Sequence, residues 1–198
     1  MQHPNHFNLA RIQNLTDGIF AVAMTLLVLD IRLAPGLSRH LLGYGLIALT
    51  PRLYSYVVSF FVLALFWWTY HRIVALIARA DDALVWWNVV FLFAVTLLPF
   101  TAYLLGAFYG TRIATEAYCL NLITLSVLMI VMWRYAERHD LIESQVTGAR
   151  RRLVSARLVA ATATYACTLL LGYWLPYWFW LGFAASVPMR FVARRFAG

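Results

Sequence analysis

The stretch Arg11-Ile-Gln-Asn-Leu15-Thr16-Asp17-Gly18-Ile-Phe-Ala-Val22-Ala-Met-Thr25-Leu-Leu-Val-Leu29-Asp30 decides the fold. Between Ile12 and Leu29 it is long and apolar enough to cross a bilayer as one helix. Asp17 interrupts it one turn in, and an acid inside a lipid-facing helix costs a few kcal/mol on insertion scales. Such a residue needs a packing or a functional reason. The segment is therefore read both as a span and as a site.

The rest of the chain agrees. Its 198 residues are 63% hydrophobic and only 12% charged, and the mean hydropathy is +0.74. A soluble domain carries roughly 25% charge. These values specify an all-α integral membrane protein, with residues 1–198 forming a single transmembrane domain. The net charge of +8 comes from 16 basic residues, all of them arginine. They stand at the ends of apolar runs rather than on one polar surface, which is a topology signal and not a nucleic-acid footprint. Cys119 and Cys167 lie within apolar runs without metal-type spacing and read as free thiols. With no HExxH, no paired intramembrane acids and no Ser/His/Asp set, the chain is expected to be neither an enzyme nor a cofactor carrier.

Six spans are predicted. They are Ile12–Leu33, Leu41–Ala78, Ala83–Ala107, Ile113–Tyr135, Leu153–Leu175 and a short Tyr177–Phe191 broken by Pro188. The first stops at Ala34-Pro35-Gly36, the third carries Pro99, and Pro176 turns the chain into the last. Six crossings leave twelve arginines on one side and four (Arg32, Arg39, Arg52, Arg112) on the other. The positive-inside rule makes the side of twelve cytoplasmic, so both termini are expected there, in a multi-pass protein of the plasma membrane.

At about 100° per residue, Gly18, Val22, Thr25 and Leu29 form one stripe on the first helix. Asp17 lies about 140° from Val22, on the opposing face. A helix facing only lipid needs neither a hydroxyl on one side nor an acid on the other. Periodicity leaves the hydroxyl open to a plainer use, because Thr25 can simply bond its own helix backbone. His71 and Asn88 are similarly open between a polar network and ordinary interfacial or interhelical bonding.

These residues resemble a known family. Arg11-x-x-x-Leu15-Thr16-Asp17 is similar to the Arg-x-x-x-Phe-Ser-Asp signature of the endolysosomal potassium channel family, transmembrane protein 175 and its bacterial relatives. The following Gly18 to Asp30 resembles the family's continuation. So do Phe66-Trp67-Trp68-x-x-His71-Arg72, Asn88 and Leu98-Pro99-Phe100. The departures are Leu15 for Phe, which loses an aromatic surface, and Thr16 for Ser, which keeps the hydroxyl. Motif detail covers about the first 110 residues, and hydropathy alone covers the rest.

The resemblance implies six helices per subunit and a homotetramer in the lipid bilayer, with four first helices lining a pore for K+. No other protein partner is implied. Carried over, Val22 falls at an apolar constriction, Thr25 at the threonine ring that K+ passes, and Leu29 at a further apolar level, with Gly18 on the same face. No TVGYG loop is present. Arg11, Thr16 and Asp17 would hold the first helix from behind through a polar network with Trp68, His71 and Asn88. A different class of function is also weighed, a small proton-coupled transporter using Asp17 and His71. Such folds usually show inverted repeats and broken midplane helices, and the sequence shows no internal repeat.

Overall fold

The computed structural model describes residues 9–33 and 35–174, and every regular element among them is helical. Helix α1 (Leu9–Leu26) continues into a 3-10 turn, Leu27–Asp30. A second 3-10 turn (Arg39–Leu41) leads into the short α2 (Leu42–Ala48). The long helices follow: α3 (Thr50–Val74), α4 (Asp82–Thr96), α5 (Leu98–Ala107), α6 (Arg112–Arg138) and α7 (Gly148–Trp174). Five stretches among the described residues are long and apolar enough to cross a membrane, with α4 and α5 together forming one of them. The expected sixth span, with Pro176, Trp178, Pro188, Arg190, Arg194 and Arg195, lies outside the described residues.

Three span boundaries differ from the sequence reading, each for a local reason. The second span begins at Thr50, not Leu41, because Pro51 sits in the first turn of α3, where a missing N–H costs nothing. Residues 42–48 form their own short helix with no buried residue, and their apolar character hides the break from hydropathy. The third span is interrupted at Leu97, where Pro99 in the first turn of α5 ends the α4 ladder. The fifth begins at Gly148 rather than Leu153, so the arginine triplet 150–152 lies in the first turns of α7.

The core is one cluster drawn from α1 and α3 to α7. Phe20, Leu63, Phe66, Phe91, Tyr118 and Trp133 are among its fully buried side chains. Phe66 of α3 stacks on Tyr165 of α7 at 5.8 Å. Hydroxyls bridge helices inside this apolar mass. Ser59 bonds the Tyr118 hydroxyl at 3.1 Å, and Ser55 donates to the Ala102 carbonyl at 2.7 Å. Gly106 permits the α3–α5 approach, since a Cβ there would stand 3.0 Å from the Arg52 Cα. The Gly106-x-x-x-Gly110 pair is thus a contact within the chain at Gly106 and a left-handed turn (φ 80°) at Gly110.

One end of the bundle is clasped by its loops. Ala78 N–H bonds the Leu141 carbonyl (2.8 Å) and Glu143 N–H the Leu76 carbonyl (3.0 Å), pairing the α3–α4 turn with the α6–α7 turn. Asp81 caps α4 by accepting from Leu84 N–H at 2.9 Å, and its other oxygen accepts from the Tyr135 hydroxyl at 2.7 Å. Asp140, at φ 51°, ends α6 in the left-handed conformation, with Leu141 N–H returning to the Ala136 carbonyl. Arg72, Arg79, Arg134, Arg138 and the triplet therefore gather at one end, as the charge count requires.

Candidate functional site: the two faces of the first helix

The buried residues of α1 and its 3-10 turn are Thr16, Phe20, Ala23 and Leu27, spaced four, three and four apart. They make one stripe packed on α3, α4 and α5. On the helix wheel this stripe lies about 160° from Gly18, Val22 and Thr25. Those three are exposed in the single chain, Val22 at 56%. The side of α1 away from the bundle thus carries Val22 and Thr25. Leu29 is also exposed but stands in the 3-10 turn, where tighter winding adds about 60° over three residues. It leaves the straight line of the other three.

Thr25 Oγ1 donates to the Val22 carbonyl at 2.8 Å, the plain backbone bond that periodicity left open. That bond uses the hydroxyl's only proton. Its oxygen lone pairs stay outward, so the group facing away from the bundle is an acceptor. Beside it an open groove of about 370 Å³ is lined by Asn14, Leu15, Gly18, Ile19, Val22, Ala23, Leu26 and Thr96. Leu15, which replaces an aromatic ring in the resembled signature, is exposed on this groove wall.

Behind α1, the polar residues divide into two groups. Thr16, Tyr70 and Asn88 are buried and form a closed ring between α1, α3 and α4. The Tyr70 hydroxyl donates to Asn88 Oδ1 at 2.8 Å, and Asn88 Nδ2 donates to Thr16 Oγ1 at 3.2 Å. The Thr16 and Tyr70 oxygens stand 3.2 Å apart, and the Thr16 proton also reaches the Ile12 carbonyl at 2.9 Å. Phe91 packs below, stacked on Tyr70 at 5.6 Å and tilted against Phe20 at 6.1 Å. Every member of the ring has a partner, the condition under which a buried polar network fixes one geometry.

Asp17 belongs to the second, less buried group, with its side chain 41% exposed in the single chain. Trp67 Nε1–H donates to Asp17 Oδ1 at 2.7 Å. His71 Nδ1 is 3.9 Å from the same oxygen, beyond a direct hydrogen bond, and its ring leans on Trp67 at 5.5 Å. The sequence reading named Trp68 for this network; the bond to the carboxylate comes from its neighbour Trp67. Trp67, Tyr70 and His71 share one face of α3, whereas Trp68 is about 100° further round, beneath the Arg72 guanidinium at 5.3 Å. Arg11 is exposed and makes no side-chain hydrogen bond or ion pair among the described residues.

Tyr70 was missed altogether. A tyrosine near a span end reads as an interfacial anchor. Only its i+3 relation to Trp67, on the face that carries His71, could have placed it inward.

Comparison with known proteins matches this geometry to a family. The family model described as endosomal/lysosomal potassium channel TMEM175 matches residues 11–99, which hold both polar groups and the exposed stripe. A protein of Chamaesiphon minutus named a potassium channel is 30% identical over 150 residues, spanning 73% of this chain and 74% of its own length. A potassium channel of Streptomyces collinus is 28% identical over 172 residues, 82% of each chain. The crystal structure of a lysosomal potassium-selective channel TMEM175 homolog from Chamaesiphon minutus superposes with a TM-score of 0.76 at 25% identity. That match covers 94% of this chain and 97% of that one. The potassium channel MtTMEM175 shares the fold, with a TM-score of 0.62 at 15% identity over 96% of this chain and 93% of its own. By its shared length, sequence identity and fold, this multi-pass membrane protein belongs to the endosomal/lysosomal potassium channel family TMEM175.

Proposed function

We propose that the chain is one subunit of a homotetrameric, potassium-selective channel of the plasma membrane, with α1 of each subunit lining a central pore. The observation that carries this is the opposition of the two α1 stripes. Thr16, Phe20, Ala23 and Leu27 bind the bundle, while Gly18, Val22 and Thr25 face away from it. One helix cannot enclose a pore, but four copies turned inward can. The names of the similar proteins support potassium as the permeant ion.

In this reading a ring of four Val22 side chains forms an apolar constriction that gates by dewetting. A ring of Thr25 hydroxyl oxygens, their protons committed to the Val22 carbonyls, replaces part of the hydration shell of K+. Leu29 sets a wider apolar level beyond the helix end. Selectivity is moderate, because one hydroxyl ring is a sparser ligand set than a stack of carbonyls. The buried ring at Thr16 and the bond from Trp67 to Asp17 hold α1 from behind and touch no ion. The arginine balance orients both termini to the cytoplasm.

Flux of K+ and Na+ through purified protein in liposomes tests the proposal. Passive K+ flux exceeding Na+ flux is expected, with Thr25→Ala lowering the ratio and Val22→Trp abolishing flux while the protein stays folded. Unchanged flux in both variants places the pore elsewhere. Proton-driven uptake that vanishes in Asp17→Asn, without passive conductance, would replace the channel by the transporter reading.

A further inference from the structure

Away from α1, the seam between α6 and α7 carries a second arrangement of charge over an apolar track. Trp133 Nε1–H donates to Ser155 Oγ at 3.0 Å, which sets the register of these antiparallel helices. Counting from that bond toward the connecting turn, at equal rise on both helices, pairs Ala136 with Arg152 and Arg138 with Arg150. The bond also marks the direction in which each helix faces the other. At about 100° per residue, Arg134 and Arg138 on α6 and Arg152 on α7 then project to the same outward side of the seam. Arg152 lies between the other two in height. All three are exposed, Arg134 at 55%.

The neighbouring groups leave this side positive. Arg151 turns to the inward side, where its Nε is buried without a partner among the described residues. Glu137, 3.4 Å from Arg134 Nη1, is the one carboxylate in the seam and offsets one of the three charges. The turn that holds Asp140 and Glu143 is pinned by its backbone to residues 76–78 on the other side. Further along the same outward side, toward the middle of the spans, the exposed surface is apolar. Leu120 and Val127 of α6 and Val159 of α7 are exposed there, beside the small exposed Ala156, Ala160 and Ala163 of α7.

We propose that this seam binds an anionic phospholipid, its headgroup phosphate on Arg134, Arg138 and Arg152 and its acyl chains along the exposed apolar track. Guanidinium groups suit the site because they meet phosphate oxygens through two parallel N–H bonds. The apolar track selects a lipid over a free phosphate or an acidic peptide, neither of which has a use for it. A zwitterionic headgroup binds less well, because its ammonium meets the same arginines.

Purified full-length protein in detergent is titrated with phosphatidylglycerol, phosphatidylcholine or inorganic phosphate. Bound lipid is counted by native mass spectrometry, and stability is followed by thermal melting. Phosphatidylglycerol is expected to be retained and to raise the melting temperature, with phosphatidylcholine and phosphate giving little of either. One arginine near a lipid surface contributes about 1 kcal/mol, so Arg152→Gln lowers phosphatidylglycerol affinity about fivefold. Arg112→Gln, at the opposite end of α6, leaves it unchanged. Should Arg152→Gln fail to fold, the unmodified protein still decides, because its preference for phosphatidylglycerol must shrink as salt is added. Equal binding of the two lipids, a salt-independent preference, or equal weakening by Arg112→Gln overturns the proposal. So does protection by phosphate alone, or displacement of the lipid by an acidic peptide.

Discussion

Asn88 is the residue through which the buried ring closes, because it alone both accepts from Tyr70 and donates to Thr16. Asn88→Leu removes two of the ring's bonds, leaving the Tyr70 hydroxyl the Thr16 oxygen at 3.2 Å and Thr16 its bond to Ile12. Two buried hydrogen bonds lost together cost about 1–3 kcal/mol. Tyr70→Phe removes one hydroxyl and leaves Asn88 bonded to Thr16, so it should cost less, near the average of about 0.6 kcal/mol for interhelical bonds in membranes. Unfolding in mixed micelles is expected to rank the two in that order. The reverse ranking would mean that Asn88 is not the closing member. Thr16, Asp17 and Asn88 were legible in the sequence because polar groups inside apolar runs stand out. Tyr70 and the bond from Trp67 were not. Both depend on the rotational phase of α3, and that helix is apolar on every side, so its sequence carries no contrast from which to read a phase.

Two glycines separate packing from function at the scale of helices. A Cβ on Gly106 would meet the Arg52 Cα at 3.0 Å and the Ser55 Cβ at 3.2 Å, and a backbone atom cannot swing aside. Gly106→Ala is expected to wedge α3 from α5 and cost about 1–3 kcal/mol, the usual range for overpacking. Gly18 has nothing within 4 Å of its would-be Cβ. Gly18→Ala should therefore raise thermal stability, by up to about 1 kcal/mol of helix propensity, while changing K+ flux through the stripe it occupies. A melting temperature that falls in Gly18→Ala would show that this face is already filled. At the clasped end, Asp81→Ala removes both the α4 cap and the tie to Tyr135, a loss of about 0.5–2 kcal/mol for the cap alone. Asp81→Asn keeps a good capping side chain and should lose less in the same melting experiment. Hydropathy located the helices but not their breaks. The residues before Thr50 are as apolar as those after it, and only Pro51 and Pro99 mark where a new first turn begins.

For the whole molecule, the decisive quantity is what faces the Val22–Thr25 stripe when copies assemble. A lipid-facing stripe would keep Val22 side chains of different subunits far apart. A pore-lining stripe would bring four of them to one axis. These arrangements differ in soft-metal chemistry, because thiolates that converge ligate Cd2+ and isolated ones hold it weakly. Val22→Cys is made with Cys119, which is buried, replaced by Ala and Cys167, which is exposed, replaced by Ser, so that only the introduced thiol reacts. K+ flux in liposomes should then be blocked by Cd2+ and restored by a chelator. The same background with Cys introduced at Phe93, an exposed α4 position off the α1 stripe, should be insensitive. Block at Phe93 with none at Val22 would move the pore from α1 to α4. Block at Val22 alone would mean that the face of α1 turned away from its own bundle is the face the subunits share around the ion path.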